Sequence, residues 1–157
     1  MAYEFTVMTQ GQAENIASSW HYEGIYSFYD MEADEEDLAA FLNPQERGDH
    51  YYMVKKREEE VGFFYFDHKG DAVEVGLGMK PERTGVGEGL SFLRAGMNFA
   101  RMKYEPKELN LAVATFNSRA IKVYQQAGFI SDGTYMQETN GSLFEFVKMS
   151  YACAGHT

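Results

Sequence analysis

The chain has one cysteine and three prolines in 157 residues, and its 14 lysines and arginines are outnumbered by 24 acids. A single thiol, Cys153, excludes an internal disulfide and a cysteine metal cluster, and its position suggests an inert group in a frayed tail. No stretch approaches the roughly 18 apolar residues of a membrane span. The N-terminus also lacks the charged head, apolar segment and cleavage site of a secretory leader, so a soluble, cytoplasmic protein without a membrane partner is expected. The shortage of bases gives a net charge of −10, which disfavours nucleic acid or anionic lipid as the main partner. A cationic or neutral partner is easier to accommodate, although acidity serving only solubility explains the charge equally well. His21, His50 and His68 are scattered without ligand spacing, so no metal is expected.

What is present is enough for one core. Hydrophobic residues make up 45% of the chain and aromatics 15%, which excludes a disordered polymer and points to one globular domain over residues 3–151, with 152–157 as a flexible tail. Tyr3 to Met8 reads as a strand, and Thr9-x-x-Gln12 has the form of a capping box ahead of the stripe Ala13, Ile16, Ala17, Trp20. An aromatic-rich loop or broken helix follows, then acidic Asp34 to Asp37 leads into a short helix through Leu38, Phe41 and Leu42, which Pro44 ends. His50 to Lys56, Val61 to Asp67 and Ala72 to Met79 read as an antiparallel meander. Leu90, Leu93, Met97, Ala100 and Tyr104 recur at helical spacing until Pro106 breaks the chain, and Leu109 to Ala114 is a short strand. Asn117 and Gly128 cap a helix carrying Ala120, Ile121, Tyr124 and Ala127, with Phe129 set to pack back on it. The last two strands, Ile130 to Thr139 and Ser142 to Tyr151, are joined by Asn140-Gly141, the pair favoured in a type I′ turn. Together these elements predict a mixed α/β (α+β) sheet layered with helices.

The most informative stretch runs from Val73 to Met97, where an alternating strand passes through Pro81 into a glycine-rich turn and then a helix. Such a turn presents unpaired N–H groups and the positive end of a helix dipole, which suits a phosphate or diphosphate. A Walker loop needs Gly-Lys-Ser/Thr, but Gly87 is followed by Glu88 and Gly89; the dinucleotide fingerprint G-x-G-x-x-G is not met by Gly85-Val86-Gly87-Glu88-Gly89 either. On the glycines alone, a tight turn without a ligand stays open.

Gly85-x-Gly87 after Lys80-Pro81, followed further on by A-T-F-N-S-R-A-I-K-V-Y-Q-Q-A-G-F, resembles the GNAT N-acetyltransferase superfamily. The family's acyl-CoA signature is Gln/Arg-x-x-Gly-x-Gly/Ala, and its next motif is Asn-x-x-Ala-x-x-x-Tyr-x-x-x-Gly-Phe, met in register by Asn117, Ala120, Tyr124, Gly128 and Phe129. One departure is plain: Glu82 stands at the Gln/Arg position, with Arg83 one place later. The resemblance implies a mostly antiparallel sheet of about seven strands flanked by about four helices. It also implies acetyl-CoA as cosubstrate, with direct acetyl transfer to a primary amine of a small molecule or protein N-terminus. Many relatives pair as homodimers. A binding module that holds acyl-CoA without chemistry is the alternative, since fold alone never establishes reaction.

On this resemblance the backbone of Arg83, Thr84, Gly85, Val86, Gly87, Glu88 and Gly89 holds the diphosphate, with Arg83 supplying charge from the adjacent position. The pantetheine arm and acyl carbonyl lie against the strand, the carbonyl held by an N–H near Leu77 or Met79, where a fixed donor stabilises the oxyanion. Alternation sends Val73, Val75, Leu77 and Met79 to one face and Glu74, Gly76 and Gly78 to the other, a carboxylate above a strip without side chains. An amine near the lysine reference pKa is protonated at neutral pH, so a base is needed, and Glu74 is the candidate. A solvated edge or a salt bridge explains the same residue. Tyr124 is the candidate acid for the departing thiolate, or a core residue at the same spacing. Asn117 is an N-cap first and a pantetheine contact second. Trp20, Tyr22, Tyr26 and Tyr29, followed by acids to Asp37, lie where the family builds one wall of the acceptor cleft; aromatic faces near carboxylates suit a cationic amine, and a solvated helix start suits the acids as well.

Overall fold

The computed structural model of the protein describes residues 3–84 and 87–153. Its elements run β1 (Tyr3–Val7), α1 (Gln10–Ser19), two 3₁₀ turns (Gly24–Tyr29 and Met31–Ala33), α2 (Glu35–Leu42), α3 (Pro44–Arg47), β2 (Tyr51–Lys56), β3 (Glu59–Lys69) and β4 (Ala72–Met79). A further 3₁₀ turn (Pro81–Arg83) leads to α4 (Gly89–Tyr104), β5 (Glu108–Ala114), α5 (Ser118–Ala127), β6 (Ile130–Thr139) and β7 (Ser142–Ala152). The seven strands form one mixed sheet in the order β1-β2-β3-β4-β5-β7-β6. Only β4 and β5 are parallel, the expected consequence of the α4 crossover between them.

Local chemistry sets the ends of the elements. Thr9 and Gln12 form the reciprocal capping box at α1, and the Asn117 side chain accepts from the Ala120 N–H at the start of α5. Gly128, at φ +108, ends that helix in the left-handed conformation. Asn140 and Gly141 both have positive φ, as a type I′ hairpin turn requires. Pro44 differs from expectation: it ends α2 but opens the single turn of α3, because the Asn43 side chain accepts from the N–H groups of Gln45 and Glu46 and proline fits the first helical position.

Two cores cover the two faces of the sheet. On one, Val54, Phe64, Phe66, Val73, Val75 and Leu109 pack beneath Phe92, Leu93 and Met97 of α4. On the other, Met53 and Phe63 meet Ala13, Ile16 and Trp20 of α1 and Phe41 of α2. Gly96 allows the closest approach, since a Cβ there would lie 2.2 Å from the Phe64 ring. Cys153, expected in a frayed tail, is buried in the first core, and its N–H donates to the Lys107 carbonyl at 2.8 Å. No helix among the described residues is long and apolar enough to cross a membrane.

One feature of the sheet positions the site. The β4–β5 ladder has three rungs, Ala72 to Glu108, Val73 to Leu109 and Glu74 to Asn110. Beyond the last rung both strands continue without pairing to each other, β4 to Met79 and β5 to Ala114. The sheet therefore splits into a wedge, closed at Glu74 and open toward the helix starts of α4 and α5.

Candidate active site

A cavity of about 730 Å³ occupies the wedge and extends past it beneath the loop between α1 and α2. Val75, Leu77 and Met79 line one side of the split and Leu111 and Val113 the other. Thr84, Gly87 and Gly89 stand at the mouth, with Asn117, Val123 and Tyr124 of the α5 region facing them. Of the expected diphosphate turn, Gly85 and Val86 lie outside the described residues. Gly87 has φ +85 and open space where a Cβ would stand, so its backbone can be approached closely.

In an extended strand a residue's N–H and C=O leave on the same side, and alternate residues share that side. The Met79 carbonyl accepts the Tyr22 hydroxyl at 2.7 Å from within the cavity, which turns the amides of Leu77 and Met79 toward the split. Tyr124 lines the opposite wall with no hydrogen bond to its hydroxyl among the described residues. Burial first, and Tyr29 second, hold this phenol well above its ordinary range, so it stays a proton donor. The wedge has strand amides on one wall, a phenol donor on the other and a helix start at its mouth.

Two charged residues are placed otherwise than expected. Arg83 does not stand free for an anion: its guanidinium bonds Glu59 Oε1 and Glu88 Oε1, each at 2.8 Å, and Lys56 Nζ adds a contact of 3.6 Å to Glu88. These pairs leave the turn almost neutral, and they raise Arg83 and lower Glu88 relative to their ordinary values. Glu74 lies outside the cavity lining, half exposed, with Lys69 Nζ 3.5 Å from its carboxylate. The physical reason is its place on the last rung of the ladder, at the closed end of the wedge.

The strip beside Glu74 is not bare. A Cβ at Gly78 would meet the Phe63 ring at 2.6 Å, and at Gly76 the Tyr65 side chain at 3.5 Å, because these β3 aromatics are the cross-strand partners. The glycines make room for aromatic rings, so that face is covered by β3 side chains.

All four aromatics expected on the acceptor wall line the cavity, and the hydroxyls of two of them, Tyr22 and Tyr29, are already engaged. Trp20 is 3% exposed and packs on Phe63, so it belongs mainly to the core. Tyr22 ties the loop to the end of β4 through Met79, and its N–H donates to Asp30 Oδ1 at 2.8 Å. The Tyr26 ring lies 4.5 Å from the Arg119 guanidinium. Tyr29 accepts from Asn117 Nδ2 at 3.1 Å, which gives Asn117 a second role beyond its cap. The loop thus bridges the split, from β4 to the start of α5.

Sequence reasoning missed the latch that holds this loop. The Asn140 N–H donates to Asp34 Oδ2 at 2.9 Å and Asn140 Nδ2 donates to the Phe28 carbonyl at 2.9 Å, while the Phe28 ring sits edge-on to Phe116 and Phe144. Phe28 was visible within the aromatic run, but nothing local links it to a hairpin turn more than a hundred residues away. Tyr65 reaches the same cavity from β3, and in the sequence it is simply one residue of the strand Val61 to Asp67.

Compared with protein families, residues 6–130 match the model of the acetyltransferase (GNAT) domain. No curated protein matches the chain in sequence. Among solved structures, the spermidine N-acetyltransferase from Vibrio cholerae in complex with CoA and spermine superposes with a TM-score of 0.75 at 15% identity, over 96% of this chain and 95% of that one. A GNAT-family acetyltransferase from Bacillus anthracis gives 0.72 at 13% identity, over 96% and 94%. The ribosomal-protein-S5-alanine acetyltransferase from Vibrio fischeri gives 0.72 at 15% identity, over 99% and 95%. At such identities the likeness is one of fold.

Proposed function

The chain belongs to the GNAT acetyltransferase family, and from that premise we propose that it transfers the acetyl group of acetyl-CoA to a primary amine of a small molecule or protein N-terminus. The observation that carries this reading is the divergence of β4 from β5 after Glu74, which opens a cavity with strand amides on one wall and the Tyr124 phenol on the other.

Bound acetyl-CoA supplies the activated acyl carbon. The chain's own groups do the rest. The amides of Leu77 and Met79 on the split side hold negative charge that develops on the acyl oxygen. Tyr124, protonated throughout the working pH range, gives its proton to the leaving sulfur. Asn117 holds α5 and Tyr29 together at the wall of the cavity. The backbone of Gly87 to Gly89 and the start of α4 face the diphosphate, and Arg83 joins them when it exchanges Glu88 for phosphate oxygens. Fixing both reactants in one cavity lowers the entropic cost of their encounter.

A positively charged acceptor suits the other half of the cavity, where Asp30, Asp34 and Asp37 stand among tyrosines. One neighbour in fold is a spermidine N-acetyltransferase, which is in keeping with such an acceptor. The alternative, a module that binds acyl-CoA without chemistry, draws on the position of Glu74 outside the cavity. Thiol release from acetyl-CoA across a panel of alkylamines, diamines, amino acids and N-terminal peptides, with mass detection of the product, separates them. Acetylated product supports the transferase; tight binding with no thiol released by any amine favours the module.

A further inference from the structure

The amine must lose a proton before it attacks, yet the carboxylate best placed by sequence for this task does not line the cavity. Tyr65 does. It is the cross-strand partner of Gly76, and its Cβ and ring lie 3.5 Å from the point where a Gly76 Cβ would stand, one residue from Leu77 at the split. On the same face of the sheet, the next rung toward the closed end pairs Asp67 with Glu74. Lys69 Nζ bridges these two carboxylates, at 3.4 Å from Asp67 and 3.5 Å from Glu74. Tyr65 thus stands between the cavity and a lysine-bridged carboxylate pair just outside it. The absence of side chains at Gly76 and Gly78 leaves room for these β3 aromatics to lie over β4.

We propose that Tyr65 takes the acceptor's proton inside the cavity and passes its own to the Asp67–Glu74 pair, so that Glu74 serves as the base through Tyr65 and without contact with the amine. This rests on the acetyltransferase reading. In the step, the ammonium N–H bond breaks as the Tyr65 oxygen gains that proton, and the Tyr65 hydroxyl proton moves to a carboxylate oxygen. The freed lone pair bonds to the acyl carbon, the C–S bond breaks, and sulfur takes the Tyr124 proton. The second proton shed by nitrogen restores Tyr124 through solvent. Burial, followed by Asp67 and Glu74, raises the Tyr65 phenol above its ordinary value, which suits a group that relays protons and does not remain ionised. Tyr51 of β2 and His50 just before that strand pack on Tyr65 and are its other titratable neighbours, with Asp37 facing it from α2.

The test compares Tyr65→Phe, which keeps the ring over Gly76, with the native protein on two acceptor probes of similar shape. These are ethylamine, which is strongly basic, and trifluoroethylamine, which is weakly basic and mostly neutral at the assay pH. Where a panel shows a longer alkylamine to be the better acceptor, that amine and its fluorinated counterpart replace them. The expected result is about a hundredfold lower kcat with the basic amine, little change with the weakly basic one, and unchanged acetyl-CoA affinity and melting temperature. Glu74→Gln should follow the same pattern, and the double variant should be no slower than Tyr65→Phe alone. Equal losses with both amines, additive losses in the double variant, or undiminished turnover of Tyr65→Phe would overturn the relay while leaving the acetyltransferase standing. Absence of thiol release by the native protein with every amine overturns that underlying reading, and the relay with it.

Discussion

Tyr124 brings to the wedge a phenol that no other described residue uses, held in its protonated form by burial. Tyr124→Phe should lower kcat about a hundredfold or more, the usual range for losing a general acid, with little change in acetyl-CoA affinity by calorimetry; unchanged turnover would return the residue to a packing role. Glu88 makes the opposite kind of prediction. Its carboxylate is one of the two that neutralise Arg83 at the mouth where the diphosphate is expected, so Glu88→Gln should leave the guanidinium only Glu59 as a charged partner and strengthen acetyl-CoA binding several-fold, most at low salt. Weaker binding in that variant would show that the pair positions the turn more than it competes with the ligand. At this scale the sequence was legible in residue type and less so in partners. Asn117, Tyr124 and Gly87 stand out by their register in the family's motifs, whereas the engagement of Arg83 depends on Glu59 at the start of the neighbouring strand β3.

Elements were read well wherever their ends carry local chemistry. The Thr9 capping box, the Asn117 cap, the Gly128 terminus and the Asn140-Gly141 turn each express a backbone requirement that neighbouring residues satisfy. Asn117→Ala should accordingly cost about 1 kcal/mol in chemical denaturation, and a further loss of activity would report its bond to Tyr29. What no local pattern could show is how α4 meets β3. Gly96 sits mid-helix, where alanine would ordinarily be favoured by about 1 kcal/mol, yet a Cβ would lie 2.2 Å from the Phe64 ring. Overpacking of that kind costs about 1–3 kcal/mol, so Gly96→Ala should destabilise the protein in a urea titration; stabilisation would mean that α4 can lift from the sheet freely. The strip at Gly76 and Gly78 teaches the same lesson in reverse. Alternation assigned its face correctly, but its covering by Phe63 and Tyr65 follows from strand register, which is set by pairing and not by β4 itself.

For the molecule as a whole, several phenols share one behaviour. Burial raises Tyr51 and Tyr104 to about 12 and pushes Tyr22 and Tyr124 higher still. An unfolded tyrosine ionises near 10. The stability these groups contribute is complete below that pH and is lost as pH rises through their folded values. The melting temperature should therefore fall steeply above about pH 10, with tyrosinate absorbance appearing together with unfolding; full ionisation in a protein that stays folded would contradict the burial of these rings. The global arrangement was foreseen as a mixed sheet between helices, because the order of strands and helices follows from periodicity. The wedge was not, since where the β4–β5 ladder ends is a property of pairing between strands far apart in the chain.

That wedge can be tested where it lies, by titrating labelled protein with coenzyme A and following backbone amide resonances. Shifts concentrated at Leu77 and Met79 on one side, and from Asn117 to Tyr124 on the other, are the predicted result. Saturating coenzyme that leaves those amides unmoved, or moves only residues remote from the split, would contradict the account.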